Sequence, residues 1–160
     1  MSDKESKSLQ IGAKTPDFSA KVQNPDGSVI DITLSKLLAD GQKVLLIFYP
    51  GDDTPGCTAQ LCGVRDVYAT YQKLGVTVMG VNPANAESHL KFIKKYEYPF
   101  GIIVDEDKTI REKFGAIGSF FGKATTKRSV FLIDTDGTCI YRFFGQQDND
   151  KVFEILEGGK

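Results

Sequence analysis

Three cysteines, one histidine and no tryptophan stand in a chain of 160 residues. Few side chains are therefore available for nucleophilic or redox chemistry. Cys57 has the most informative surroundings. It follows Pro50-Gly51-Asp52-Asp53-Thr54-Pro55-Gly56, where Thr54 suits a helix N-cap and Pro55 a first helical position. A cysteine in that first turn meets unpaired backbone N–H groups and the positive end of the helix dipole. Both favour the thiolate, which is the nucleophile. Gly56 lets a substrate approach the backbone closely, and Thr54 offers a hydroxyl beside the sulfur. Asp52 and Asp53 work against an anion unless they turn to solvent. The competing reading is a small, inert core cysteine. The strand–loop–cap context outweighs it.

Cys62 lies five residues on, in the same predicted helix. Five residues of intact helix separate the Cα atoms by about 8–9 Å, whereas a disulfide wants them within ~7 Å. If the two cysteines bond, the helix start must unwind. Geometry alone leaves Cys62 equally readable as a small packing residue. Cys139, in a predicted strand just after a turn, reads as structural, with Tyr141 and Phe143 expected on its side of the strand. A zinc site would have to recruit Cys57, Cys62, Cys139 and His89, and there is no second paired ligand motif to support one. His89, on a predicted helix, reads as a surface or capping side chain with no evident acid partner. Gly122-Lys123 fails as a phosphate loop, because Ile117 and Ala124 stand where Gly and Ser/Thr are needed.

The elements that must position Cys57 follow from hydrophobic pattern and punctuation. Val44–Tyr49 is a continuous apolar run of strand length, expected to be covered on both faces. Pro50–Asp53 is a loop, and the helix after it is predicted to run from Thr54 to about Leu74, stopping at Gly75. Phe18–Val22 and Ser28–Ile32 flank Asn24-Pro25-Asp26-Gly27 as a hairpin, with a short helix over Leu34–Ala39 capped by Thr33 or Ser35. Val76–Val81 reads as strand, Ala86–Tyr96 as helix, Gly101–Val104 as strand and Thr109–Phe114 as helix. Gly118–Lys127 reads as loop. Ser129–Ile133 and Thr138–Phe144 form a strand–turn–strand unit before a last helix, Asp148–Leu156. Alternating strands and helices with antiparallel units at the ends predict an α/β fold: a mixed central sheet flanked by helices on both faces. In such sheets sites form at the carboxyl ends of strands, where Pro50–Cys57 lies. One domain over residues 1–160 is expected, with residues 1–10 frayed.

Composition removes whole classes of function. Twenty basic and 21 acidic residues leave a net charge of -1, so no nucleic-acid partner bound by bulk charge is expected. The longest clean apolar stretch is far short of the ~18 residues a membrane helix needs, and no membrane partner is expected. The N-terminal residues lack the apolar core of a secretory signal, which points to a reducing, cytoplasmic setting.

The residues around Cys57 also carry a specific resemblance. Pro50-x-x-x-Thr54-x-x-Cys57 resembles the active-site pattern of peroxiredoxins. The longer run from Phe48 to Asp66, with its second cysteine at Cys62, is similar to the PrxQ group, also called bacterioferritin comigratory proteins. Similarity extends through Ser88–Phe92, Tyr98-Pro99-Phe100 and Arg128–Asp134, from about Gly12 onward. The resemblance implies a thioredoxin-like fold and a thiol-dependent peroxidase acting on hydrogen peroxide and organic hydroperoxides. It implies Cys57 as peroxidatic nucleophile and Cys62 as resolving cysteine of an intramolecular disulfide. Thr54 and Arg128 would hydrogen-bond the sulfur and the peroxide, Pro50 would shield the pocket, and the N–H groups of Gly56 and Cys57 would complete a cradle. A thioredoxin or glutaredoxin would recycle the disulfide, without metal or cofactor, in a monomer. Arg128 is placed by the resemblance alone; its residue type and position would otherwise read as a strand-end charge. Three other readings compete: a redox sensor that reacts but cycles poorly, a thioredoxin-like disulfide reductase, and a zinc module. Val81–Ala86, Cys139 and the Gly118–Lys127 segment with Phe120-Phe121 depart from the family pattern.

Overall fold

The apolar run ahead of the cysteine loop becomes the central strand of the molecule. In the computed structural model, which describes residues 8–158, β3 (Lys43–Phe48) lies between β4 (Val76–Asn82), parallel to it, and β8 (Ser129–Ile133), antiparallel. Beyond β4 come β5 (Gly101–Val104), β1 (Ser19–Gln23) and β2 (Val29–Thr33), and β9 (Cys139–Phe144) closes the other edge. The resulting seven-stranded mixed sheet has the order β2-β1-β5-β4-β3-β8-β9.

Strand alternation feeds two cores. Leu45, Ile47 and Tyr49 point to one face and pack with Leu61, Tyr71, Phe92 and Val152, carried by α2 (Pro55–Arg65), α3 (Tyr68–Lys73), α4 (Ala86–Tyr96) and α6 (Asn149–Gly158). Val44, Leu46 and Phe48 point to the other face, against Leu34 and Leu38 of α1 (Leu34–Ala39) and Ile110 and Phe114 of α5 (Thr109–Phe114). Residues 44 to 49 are all fully buried, as a strand covered on both faces requires. The expected mixed sheet with helices on both faces is what forms.

Several expectations are corrected. The helix after Cys57 does not run on to Leu74: it ends at Arg65, and a new helix begins at Tyr68 after Val67 takes a non-helical conformation (φ -121, ψ 18). Residues 8–10 are not frayed. The Leu9 amide donates to the Phe114 carbonyl at 3.1 Å and its side chain joins the core; the fraying expected of residues 1–7 lies outside the described residues. The segment read as loop is a hairpin, β6 (Ile117–Phe120) and β7 (Lys123–Thr126). In β9, an irregularity opposite Leu132/Ile133 pairs Ile133 with Cys139 and Leu132 with Tyr141. This bulge sends Cys139 and Tyr141 to opposite faces rather than one, because an extra residue reverses the alternation.

Candidate active site

The chain leaves the carboxyl end of β3 at Phe48 and turns through Pro50–Thr54 into α2. Thr54 has the extended N-cap conformation and Pro55 opens the helix. The first turn of a helix leaves its N–H groups without intrahelical acceptors. Pro55 has none to offer, and Thr58 N–H already donates to the Thr54 carbonyl at 2.8 Å. Gly56 and Cys57 therefore supply the amides at this helix start. Cys57 is fully buried, packed among Tyr49, Leu61 and Val64.

Arg128 reaches this point from the short link between β7 and β8. Its Nη2 donates to Cys57 Sγ at 3.4 Å and its Nη1 to Gln60 Oε1 at 2.8 Å. Gly56 makes that approach possible: a Cβ there would stand 3.0 Å from Arg128 Nη2. Sequence and structure thus bring Gly56, Cys57 and Arg128 together. Thr54 is at the rim, but its hydroxyl donates to the Gly51 carbonyl at 3.2 Å and not to the sulfur. Pro50 is an exposed residue at the mouth of the loop.

Cys62 is half-buried on the same intact helix, with its sulfur 3.5 Å from the Tyr98 hydroxyl. No disulfide is present, and Cys57, Cys62 and Cys139 are all free. Cys139 is buried on the opposite face of the sheet from Cys57, where burial pushes its thiol up to about 11. Among the described residues, no group of three or more His, Cys, Asp or Glu side chains is arranged to hold a metal.

Sequence reasoning missed two parts of the site. Gln60, fully buried, fixes the Arg128 guanidinium and receives Gln147 Nε2 on its backbone carbonyl at 3.2 Å. Its one legible signal is its place one turn beyond Cys57, on the face that must be buried. The second is the loop's anchor. His89 is not a surface side chain without an acid: it is fully buried, with Nδ1 2.7 Å from Asp52 Oδ2 and Nε2 3.2 Å from the Asn82 carbonyl. Ser88 Oγ and Tyr49 Oη donate to the same carboxylate at 2.6 and 2.7 Å. Burial pushes the Asp52 carboxyl up, but the His89 contact and these two hydroxyls together hold it below its usual value. Asp53, in a left-handed conformation (φ 57), takes Lys95 Nζ at 2.8 Å and Tyr96 Oη at 2.7 Å. Both acids thus tie the loop to α4.

Comparison with known proteins shows the family. A family model described as the AhpC/TSA family matches residues 11–142. Peroxiredoxin Bcp of Bacillus subtilis is 34% identical over 153 residues, covering 93% of this chain and 94% of its own length. The chloroplastic peroxiredoxin Q of Triticum aestivum is 36% identical over 140 residues, covering 88% of this chain and 61% of its own. The crystal structure of peroxidoxin BcpB from Mycobacterium tuberculosis superposes with a TM-score of 0.82 at 27% identity, over 95% of this chain and 99% of that one. The thioredoxin-like fold, the helix-start cysteine and these relatives converge: the chain belongs to the AhpC/TSA family, beside the peroxiredoxins of the Bcp and PrxQ kind.

Proposed function

We propose that this thiol-dependent peroxidase works through Cys57, and that the contact of Arg128 Nη2 with Cys57 Sγ at 3.4 Å is the observation that carries the assignment. A guanidinium and the first-turn amides stabilise the thiolate and the charge that develops on a peroxide oxygen. The sulfur attacks one peroxide oxygen, an S–O bond forms as the O–O bond breaks, and the leaving oxygen takes a proton to become water or an alcohol. Cys57 is left as a sulfenic acid. Thr54 serves the incoming peroxide once its hydroxyl turns from the Gly51 carbonyl, and Pro50 limits water at the mouth.

Cys62 is the resolving thiol in this reading. Its sulfur displaces the sulfenic hydroxyl, which leaves as water with the thiol proton, and a Cys57–Cys62 disulfide results. The intact α2 holds the two residues about 8–9 Å apart at Cα, so this step requires the helix to open. A dithiol protein of the thioredoxin or glutaredoxin type then returns two electrons and two protons. An intrachain resolving cysteine needs no second subunit, which favours a monomer, and a cycle that returns through free thiols suits a reducing, cytoplasmic setting.

The test is peroxide consumption with defined dithiol reductants. Cys57→Ser should abolish turnover with the fold intact. Cys62→Ser should allow one oxidation and block the intramolecular disulfide. Arg128→Ala should slow the first step by about 10²–10³, with Arg128→Lys recovering part of it. Near wild-type turnover in Cys57→Ser removes the assignment.

A further inference from the structure

The β6–β7 hairpin stands apart from the main sheet and ends in an unusual turn. Phe120 pairs with Lys123, so the loop is the two residues Phe121-Gly122, both with positive φ (51 and 79). That is the geometry of a type I′ turn, whose first position favours Asn, Asp or Gly. A phenylalanine there is sterically costly. It is also almost entirely in solvent, 91% exposed, beside Phe120 at 64%, with the two rings 4.4 Å apart. Neither local conformation nor core packing accounts for an aromatic at this position. Uncommon backbone states of this type persist chiefly where function uses them.

The charge around the tip has one sign. Residues 117–128 contain Lys123, Lys127 and Arg128 and no acid, in a chain of net charge -1. Arg128 is engaged at Cys57. Lys123, directly across from Phe120, shares its face of the ribbon. Lys127 lies along the same face, its Cδ 3.6 Å from where a Gly118 Cβ would be. Both lysines are exposed and have no acidic partner among the described residues. The feature is therefore a small convex apolar tip with two cations behind it. Two phenylalanine side chains, at roughly 150–250 Å² each, fall well short of the ~800 Å² per partner that a stable interface with a second copy needs. Aromatic residues at the headgroup level and basic residues against anionic phosphates are the complement of this pattern.

We propose that the β6–β7 hairpin is an interfacial anchor for anionic lipid. Phe120 and Phe121 enter the headgroup region while Lys123 and Lys127 meet lipid phosphates. No spanning segment is needed, and the association is weak and reversible. Its use rests on the peroxidase reading. The hairpin runs through Lys127 into Arg128, so the anchored segment is continuous in sequence with the residue at Cys57, and membranes are where acyl hydroperoxides arise.

The experiment is cosedimentation of the full chain with phosphatidylcholine vesicles, with and without about 30% phosphatidylserine. Wild type should bind only the anionic vesicles and release in high salt. Phe120→Ser/Phe121→Asn should lose that binding about tenfold while its thermal stability stays equal or rises, because Asn suits the left-handed turn position. Lys123→Gln and Lys127→Gln should each weaken it about fivefold. The double phenylalanine variant should also slow reduction of a vesicle-borne phospholipid hydroperoxide but not of hydrogen peroxide. Equal vesicle binding by wild type and the double variant overturns the proposal. So does an effect confined to the Michaelis constant for a dithiol protein, or to self-association. Vesicle binding is read without turnover, so a protein that binds lipid yet reduces no peroxide would refute the peroxidase reading and leave the anchor standing.

Discussion

Tyr98 holds Cys62 through a hydroxyl that also grips the helix on which Cys62 rides. The phenol oxygen is 3.5 Å from Cys62 Sγ and donates to the Thr58 carbonyl at 3.3 Å. Burial above all raises its pKa far above the ordinary tyrosine value, so the proton stays on the oxygen. The hydroxyl thus faces both the Thr58 carbonyl and the Cys62 sulfur. Thr58 and Cys62 are the two ends of one helical i→i−4 turn, so the same hydroxyl spans a turn that the proposed Cys57–Cys62 disulfide would have to open. Tyr98→Phe should remove ~1 kcal/mol of local restraint. In a Cys57→Ser background, Cys62 should then alkylate about fivefold faster, with faster amide exchange over residues 58–65. Unchanged alkylation would deny Tyr98 this hold.

Gly56→Ala isolates the approach of Arg128. An added Cβ would lie 3.0 Å from Nη2, and the end of a long side chain can give way. Alanine also favours the helix over glycine by about 1 kcal/mol. The variant should melt no lower than wild type and still react with peroxide about tenfold more slowly, a partial loss of a charge-stabilising donor. Stopped-flow oxidation of the reduced protein checks it.

Asp52→Asn should cost about 1–3 kcal/mol, because it removes a charged acceptor from Ser88, Tyr49 and His89, read by chemical denaturation at neutral pH. The sign with pH is set by the lowered Asp52 carboxyl. Such a group contributes stability above its unfolded pKa and loses it as pH falls through the folded one. Wild type should therefore lose stability more steeply on the acid side than Asp52→Asn. Parallel acid limbs would mean that the carboxylate adds nothing there.

Cys139 should be silent in the native protein. With burial raising its thiol to about 11, iodoacetamide at pH 8 should label Cys57 and Cys62 and reach Cys139 only after denaturation, as peptide mass mapping would show.

What the sequence made legible is what is encoded locally. Val44–Tyr49 is an unbroken apolar run, and only a strand buried on both faces accommodates it at that length. Thr54-Pro55 marks a helix start by cap and φ preference, and that local signal is enough to put Cys57 in the first turn. The misreadings share a different origin. Nothing between Arg65 and Tyr68 is a glycine or proline, so the helix break left no punctuation. The β9 bulge depends on pairing with β8, and it reverses faces for Cys139 and Tyr141. His89 and Asp52 are 37 residues apart, and only the fold makes them partners. The β6–β7 hairpin was hidden because Phe121 occupies a position where turn chemistry leads one to expect asparagine.

The interruption at Val67 bounds how far a redox cycle can reach into the molecule. Helical order spreads and melts through contiguous turns, and the segment bearing both cysteines is only 11 residues long. Beyond the interruption, Tyr71 is moored separately, its hydroxyl donating to Asn149 at 2.7 Å and its ring 4.7 Å from Phe153. Loss of α2 therefore stops at a firebreak. On the proposed Cys57–Cys62 cycle, the sheet, α3 and α6 would remain as a standing scaffold against which the segment rewinds. Under that cycle the proposed catalytic helix would come apart once per turnover without approaching global unfolding.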